Sequence, residues 1–322
     1  MVIPARNDAA GLAGAVASAL AQTCVDVTEV FICVGPSSDG TALVAQELDR
    51  GHGPVRAVDN PAGGISEALN LGLRLACNDI LIRVDARCAL PPDYAATAVA
   101  SMQQTGAANI GAVQIPVGQG PTQRAIALAM SHVLGSGGAA YRSGRELEQV
   151  DTAFLGVFRT SALRAVGGWD VEFARNEDAE LNRRLIQAGY QVWLDPRLRV
   201  EYQPRATLRG LARQYFDYGW WRRRMAARHR VVQLRQLAAP VVVLGVVGGI
   251  VLAVTVSLGF VVLPLGYVVL IALAASRTTG ATFRERLLMV PALATMHLCW
   301  GAGFLASLIR GPLKLAPYTP SE

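Results

Sequence analysis

Through the first 200 residues, short apolar runs alternate with alanine-rich segments. The runs Met1–Pro4, Val27–Val34, Val55–Val58, Ile80–Val84, Asn109–Ile115 and Val192–Leu194 predict strands. Residues 11–21, 40–49, 66–76 and 93–105 predict the helices between them. Alternation at this spacing predicts an α/β domain whose mostly parallel sheet carries helices on both faces. Sheets of that kind bind ligands beyond the carboxyl ends of their strands. The informative residues are therefore those directly after each run.

Beyond residue 200 the pattern changes. Gln236 to Ser276 is a run of 41 residues without a charge. As helix it would extend about 60 Å, or two bilayer cores of about 30 Å each. It predicts spans near 238–256 and 258–276, with a turn around Ser257–Gly259. A further apolar run of 23 residues, Leu287–Ile309, predicts a third span near 288–308. Between Arg205 and Arg235 stand nine arginines against one acid, Asp217, and the loop before the third run carries Arg277, Arg284 and Arg286 against Glu285. The positive-inside rule puts both segments in the cytoplasm. The chain then divides into a cytoplasmic domain (1–200), an interfacial basic and aromatic segment (201–236), a transmembrane region (237–309) and a tail (310–322) outside. The expected location is the plasma membrane, with several passes.

Composition agrees with this division. Hydrophobic residues make up 52% and charged residues 17%, with a mean hydropathy of +0.32, which excludes a disordered chain. The net charge is +6, and 29 of the 30 basic residues are arginine. The arginines abut a span and are interleaved with Tyr215, Phe216, Tyr218, Trp220 and Trp221. That suits a helix touching anionic headgroups rather than a nucleic-acid groove, so no nucleic-acid partner is expected. Five scattered cysteines and four histidines lack metal-site spacing and read as reduced, buried thiols and isolated imidazoles. His297, mid-span, reads as a hydrogen-bond partner for a neighbouring helix. The opening Met1–Asp8 reads as strand and turn rather than a secretory leader, and a strand starting at residue 1 is what a chain short of a few leading residues would show. No GxGxxG follows the first strand and no GxxxxGK[ST] occurs, so dinucleotide-binding and P-loop readings find no support.

Pro4-Ala5-Arg6-Asn7-Asp8 follows the first strand, the turn Val34–Thr41 the second and Arg83-Val84-Asp85-Ala86-Arg87 the fourth. An aspartate closing a buried strand is costly to desolvate unless it meets a cation or donors. Asp39, in Ser-Ser-Asp, reads equally well as a helix cap. Taken in order, the motifs resemble the family 2 glycosyltransferases with the GT-A fold. The P-x-x-N element is Pro4–Asn7, and the D-G-x-S-x-D-G-T turn is Val34–Thr41. An N-x-G-x-x-x-A-x-N-x-G-like stretch is Asn60–Gly72, and the acidic metal motif is Asp85. A Gly-Gly-aromatic-Asp element is Gly167–Asp170, and Asn-Glu-Asp is Asn176–Asp178. The likeness covers about residues 1–225. It is greatest to bacterial membrane-anchored enzymes of the succinoglycan glucosyltransferase type, through Arg83–Arg87, Ser131–Gly135, Val150–Thr152, Arg175–Asn182 and Ala212–Gly219. Two positions depart: Val34 replaces a base-contacting aspartate, and Arg87 the second acid or histidine of the metal motif.

The resemblance implies an inverting, membrane-bound glycosyltransferase that moves a sugar from a nucleotide-sugar to a lipid-linked or glycan acceptor in cell-envelope or exopolysaccharide synthesis. It implies donor contacts from Pro4, Ala5, Arg6, Asn7, Asp39, Gly64, Asn70 and Arg83, and a Mg²⁺ or Mn²⁺ ion on Asp85. Asp178 would be the general base. Trp169, Glu177, His132, Arg213, Gln214, Trp221 and Arg222 would touch acceptor or diphosphate. The chemistry fits these residue types: a departing diphosphate needs neutralising and an acceptor hydroxyl needs a base. Arg87 reads either as a phosphate contact or as a solvated arginine. Asn176 is expected to N-cap a helix over Glu177–Ala188, with Asp178, Leu181 and Leu185 on one face and Glu180–Arg184 as a surface pair. Segment 205–225 would hold the domain against headgroups, favouring a polyprenyl-diphosphate-linked acceptor. Two other readings stay open: a polyprenyl-phosphate sugar synthase, whose acceptor needs no base, and a non-catalytic nucleotide-sugar-binding scaffold.

Overall fold

The computed structural model describes residues 1–23, 25–142 and 144–309; the tail 310–322 and Cys24 lie outside them. The chain forms two compact units. Among the described residues, one comprises Met1–Ile115 and Ala140–Tyr202, the other Pro116–Ala139 and 203–309.

The first unit opens with β1 (Val2–Ala5), α1 (Ala9–Leu20), β2 (Val30–Val34), α2 (Thr41–Gly51), β3 (Val55–Asp59) and α3 (Ile65–Leu75). β1, β2 and β3 form a parallel sheet in that order, with Ile3 opposite Ile32 and Ile32 opposite Ala57. Next come β4 (Ile80–Ile82), α4 (Tyr94–Thr105) and β5 (Asn109–Pro116). After the chain returns from the second unit, it adds β6 (Glu148–Gln149), β7 (Phe154–Arg159), α7 (Thr160–Ala165), α8 (Glu177–Gln187) and β8 (Val192–Tyr202). The second sheet has the order β4-β7-β5-β8-β6, and its β4/β7, β5/β7 and β6/β8 pairs are antiparallel.

The expectation of a mostly parallel sheet therefore holds for the first three strands only. An apolar run carries no direction, and the return of β7 between β4 and β5 is set by a connection running through the other unit. β8 continues beyond the expected Leu194 because Leu198 and Val200 are buried while Arg197, Arg199 and Glu201 are exposed, the period of a half-buried strand. The two sheets meet where Val84 N–H donates to the Val2 carbonyl at 2.9 Å and Arg83 N–H to the Gly156 carbonyl at 3.1 Å.

Strand alternation sorts the core into two layers. Ile3, Ile32 and Val34 pack with Leu12 and Val16 of α1, Ala45 of α2 and Met102 of α4. Val2, Phe31 and Cys33 pack with Leu69 and Leu73 of α3, Leu163 of α7 and Leu181 of α8. Each fully buried leucine contributes about 1.5–3 kcal/mol. Both faces are covered, as the all-apolar β2 requires. Of the thiols, Cys33 and Cys88 are buried as expected, whereas Cys77 is exposed.

Asp195 of β8 is fully buried. Burial alone would raise its pKa, but hydrogen bonds from Arg197 and from Ser101 Oγ (2.5 Å) reverse this and hold it below the usual carboxylate range. Because the folded value lies below the unfolded one, the stabilisation is present above the unfolded value of about 3.9. It is lost as pH falls through the folded value. Asp195→Asn should cost about 1–3 kcal/mol at neutral pH and flatten the acid limb of stability, measurable as a melting-temperature profile between pH 3 and pH 7.

The second unit is helical: α5 (Gly120–Ser131), α6 (Val133–Ser136), α9 (Leu208–His229), α10 (Ala238–Thr255), α11 (Val262–Ser276) and α12 (Phe283–Ile309). Three stretches, Leu234–Thr255, Leu258–Ser276 and Phe283–Ile309, are long and apolar enough to cross a membrane. Residues 116–139, expected within the N-terminal domain, cluster with these helices instead. His297 does meet a neighbouring helix, its Nδ1 lying 3.0 Å from the Tyr267 hydroxyl.

Candidate active site

The three parallel strands end in loops that are stitched together. Gly35 N–H donates to the Ala5 carbonyl at 2.8 Å and Asn60 N–H to the Val34 carbonyl at 2.8 Å. Pro4 and Ala5 stand opposite Cys33 and Val34 as the last pairs of β1 and β2. Asn7, left-handed at φ 54°, accepts from the Ser38 N–H at 2.9 Å, and its own N–H donates to Ser37 Oγ at 3.1 Å. The Arg6 guanidinium donates to the Gly63 carbonyl at 3.2 Å, and the Asn60 amide to the Gly64 carbonyl at 2.9 Å. Asp39 accepts from the Ala9 N–H and the Thr41 N–H, each at 3.1 Å. It thus ties the starts of α1 and α2 together, from the position before the Gly40 cap of α2. The Thr41 hydroxyl, with these backbone donors, holds its pKa below the ordinary value.

Arg87 is exposed but not unengaged: it pairs with Asp8, and its guanidinium donates to the Asn7 carbonyl at 3.2 Å. Val34 is nearly buried, and its register partner on β3 is the exposed Asp59. A carboxylate missing from the end of β2 is therefore present one strand over. Asp59 stands directly before the Asn60–Gly72 stretch and carries no motif signal of its own.

Past β4 the chain continues beside β1 and delivers Arg83, which is 5% exposed. Its Nε donates to Asp85 at 3.0 Å, and its Nη1 to Glu177 at 3.0 Å and Asp178 at 2.5 Å. The two α8 carboxylates arrive through Asn176, left-handed at φ 61°. Asn176 occupies the cap position, but its side chain makes no cap hydrogen bond to the helix, so the expected N-cap is a turn residue instead. The reading of Glu180–Arg184 as a surface pair is also corrected: both are buried, 2.7 Å apart, and Arg184 donates further to the Val166 carbonyl at 2.6 Å.

One guanidinium faces three carboxylates. Burial raises the pKa of Asp178, with Arg83 opposing and the Asp85 charge adding to the rise. Burial likewise raises Glu177, against Arg83 and with Asp178. Desolvation disfavours the charged form, and a single cation cannot balance three anions.

Trp169 supports this cluster. It is 1% exposed, its indole N–H donates to Asp178 at 3.3 Å, and its ring meets Phe158 edge-on. Asn70 grips the backbone of Trp169 from both ends, donating to its carbonyl at 2.7 Å and accepting from its N–H at 2.8 Å. The preceding Gly168 has φ +71°, and a Cβ there would collide with the Asn70 side chain, so glycine is required. The polar groups of Trp169, Glu177, Asn70 and Arg83, expected to contact donor, acceptor or diphosphate, are engaged inside the protein, where they orient Asp178 and Asp85. Side-chain exposure in the cluster is largest for Asp85, at 32%, followed by Asp178 at 22%.

The remaining expected residues belong to the other unit. His132 caps α6, its Nδ1 accepting from the Leu134 N–H at 3.1 Å. In α9, the Gln214 amide donates to the Tyr218 hydroxyl at 2.8 Å. Arg213 is exposed, Trp221 lies under the Arg224 guanidinium at 4.8 Å, and Arg222 is half-buried.

Residues 1–167 match the family model described as glycosyl transferase family 2. The chain is 34% identical over 318 residues to the succinoglycan biosynthesis protein ExoA of Rhizobium meliloti, covering 96% of this chain and 94% of that protein. It is 28% identical over 233 residues to a pre-mycofactocin glycosyltransferase of Mycobacterium tuberculosis, covering 71% of this chain and 47% of that one. Among solved structures, the mannosyltransferase PcManGT of Pyrobaculum calidifontis, in complex with GDP-Man and Mn²⁺, superposes with a TM-score of 0.66 at 16% identity. That superposition covers 95% of this chain and 85% of PcManGT, which shows a shared fold. With these matches and the strand-end carboxylates, the chain belongs to glycosyl transferase family 2 and is a glycosyltransferase of the GT-A fold.

Proposed function

We propose that this protein moves a sugar from a nucleotide-sugar to a lipid-linked or glycan acceptor, with inversion, in cell-envelope or exopolysaccharide synthesis. The observation that carries the reading is Asp178, a partly exposed carboxylate fixed by Arg83 and Trp169. Its raised pKa strengthens it as a base for an acceptor hydroxyl. As the acceptor oxygen bonds to the anomeric carbon, the bond to the departing diphosphate breaks on the opposite face, and the hydroxyl proton passes to Asp178. The loops of Pro4–Asn7, Asp39 and Gly64, at the strand ends, are where the donor would lie. The names of ExoA and PcManGT support a nucleotide-sugar donor and a polysaccharide product.

Among the described residues no group of three His, Cys, Asp or Glu is placed to hold an ion. The site's donors are hard carboxylate oxygens, and Asp85 is the most open of the three around Arg83. This suits Mg²⁺ or Mn²⁺, which keeps waters and takes substrate phosphates as further ligands. Asp85 would hold the ion, which would neutralise charge on the leaving diphosphate. The apolar helices and their flanking arginines support a multi-pass protein of the plasma membrane with its catalytic domain in the cytoplasm.

The test is a panel of nucleotide-sugars with membranes containing the protein, reading released nucleoside diphosphate with and without chelator. Release should depend on one donor, on Mg²⁺ or Mn²⁺ and on Asp85. Full activity in excess chelator, or in Asp85→Ala, removes the metal assignment. No release with any donor favours the scaffold reading.

A further inference from the structure

Length and composition make α12 a third span, but its surroundings differ from those of the other two helices. Of its most apolar stretch, 39% is buried in protein, against 11% for the helices ending at Thr255 and Ser276. One neighbour is α9. A Cβ on Gly219 would strike the Trp300 carbonyl and come within 3.0 Å of the Phe304 nitrogen, and one on Gly303 would strike the Phe216 backbone. Residues 216 and 219 thus meet 303 and 300, so the two helices run antiparallel with their backbones in contact. The buried residues of α9, Leu211, Tyr215, Gly219 and Ala226, lie on one helical face, as such a contact requires.

The rest of α9 mixes aromatic side chains with many charges. Arg213, Asp217, Arg222, Arg223, Arg224 and Arg228 are spread over 16 residues, about 24 Å of helix. Arginine at the centre of a spanning helix costs about 2.5–3.5 kcal/mol each on insertion scales. A helix with this sequence lies along the interface, and a helix antiparallel to it lies there too. α12 makes polar contacts of its own. Glu285 is buried and pairs with Arg124 of α5 at 3.0 Å, and His297 Nε2 bonds the Leu134 carbonyl at 2.9 Å.

The hairpin supplies an independent argument. α10 enters the bilayer after the arginines ending at Arg235, and α11 returns to the loop 277–282, so Ala238 and Phe283 belong to the same face of the membrane. If α12 crossed, Gly301 would lie about 27 Å from Phe283, near the opposite face. Instead a Cβ on Gly301 would approach Val243 Cγ2 at 2.6 Å and the Ala239 carbonyl carbon at 2.7 Å, which is the start of α10. Phe283, Leu287 and Ile309 are 78%, 57% and 87% exposed, leaving apolar side chains for the acyl boundary at both ends of α12.

We infer that α12 does not cross the membrane. It lies in the interface beside α9 and α5 as a platform for a lipid surface, and among the described residues only the α10–α11 hairpin spans. The expected third span gives way to two spans, with both ends of α12 on the same face as loop 277–282.

The test is labelling by a membrane-impermeant maleimide in cells, using the full chain with its five native cysteines replaced. Single cysteines are introduced as Ser257→Cys (hairpin turn), Thr279→Cys (loop) and Ser321→Cys (tail). Ser321→Cys should label with Thr279→Cys and opposite to Ser257→Cys. Labelling together with Ser257→Cys means that α12 crosses and overturns the inference, and so does identical labelling of all three. If the cysteine-free background does not accumulate, a protease-sensitive epitope after Glu322 of the unaltered chain serves in its place. In sealed vesicles of known orientation, it should be cut from the face on which an epitope at Thr279 is cut. Cleavage from the opposite face overturns the inference.

Discussion

Arg83→Leu should abolish transfer and destabilise the catalytic unit by about 3–5 kcal/mol, the range for removing one partner of a buried ion pair. Arg83 is nearly buried and is the cation shared by Asp85, Glu177 and Asp178. Without it three carboxylates face one another, and they can relieve the repulsion only by taking up protons. The melting temperature should fall by roughly 10 °C, readable by scanning fluorimetry of the solubilised protein, with a smaller loss at acid pH. Arg83→Lys should recover little, since an ammonium cannot present Nε to one carboxylate and Nη1 to two others. A melting temperature within two degrees of the parent would mean that the cluster does not depend on Arg83.

Asp178→Asn should lower kcat by about 10²–10⁴, the usual contribution of a general base, while leaving donor binding and the melting temperature close to the parent values. The amide oxygen can still accept from the Arg83 guanidinium and the Trp169 indole, which both bond the same carboxylate oxygen. Geometry is kept and basicity is lost. Initial rates of nucleoside diphosphate release with acceptor, against donor affinity measured by titration, separate the two. An acceptor that is itself a phosphate is already ionised and needs no base. Retention of most of the turnover in Asp178→Asn would therefore select a polyprenyl-phosphate acceptor over a hydroxyl.

Several parts of this molecule follow from the sequence. The first three strands and the helices between them are legible because burial on both faces forces apolar runs, and because the turns after them carry Asn7, Asp39 and Gly64. The α10–α11 hairpin is legible because 41 residues without a charge have no other stable environment. Asp85 and Asp178 stand out through their motifs. Other features depend on contacts between residues far apart in the chain. β7 runs antiparallel between β4 and β5, a direction that its six residues do not encode. Arg83 lies 94 and 95 positions from its carboxylates on α8, so its role as their common cation arises only when β4 and α8 meet. Trp169 shows in the sequence only as the aromatic of a Gly-Gly-aromatic-Asp element; its burial comes from the grip of Asn70, 99 residues away. Residues 287–309 have the length and hydropathy of a span, and composition alone assigns them to one. Only the backbone contacts of Gly219, Gly301 and Gly303 set α12 against a charged helix and the first turn of α10, because hydropathy records what a segment tolerates whereas packing fixes where it lies.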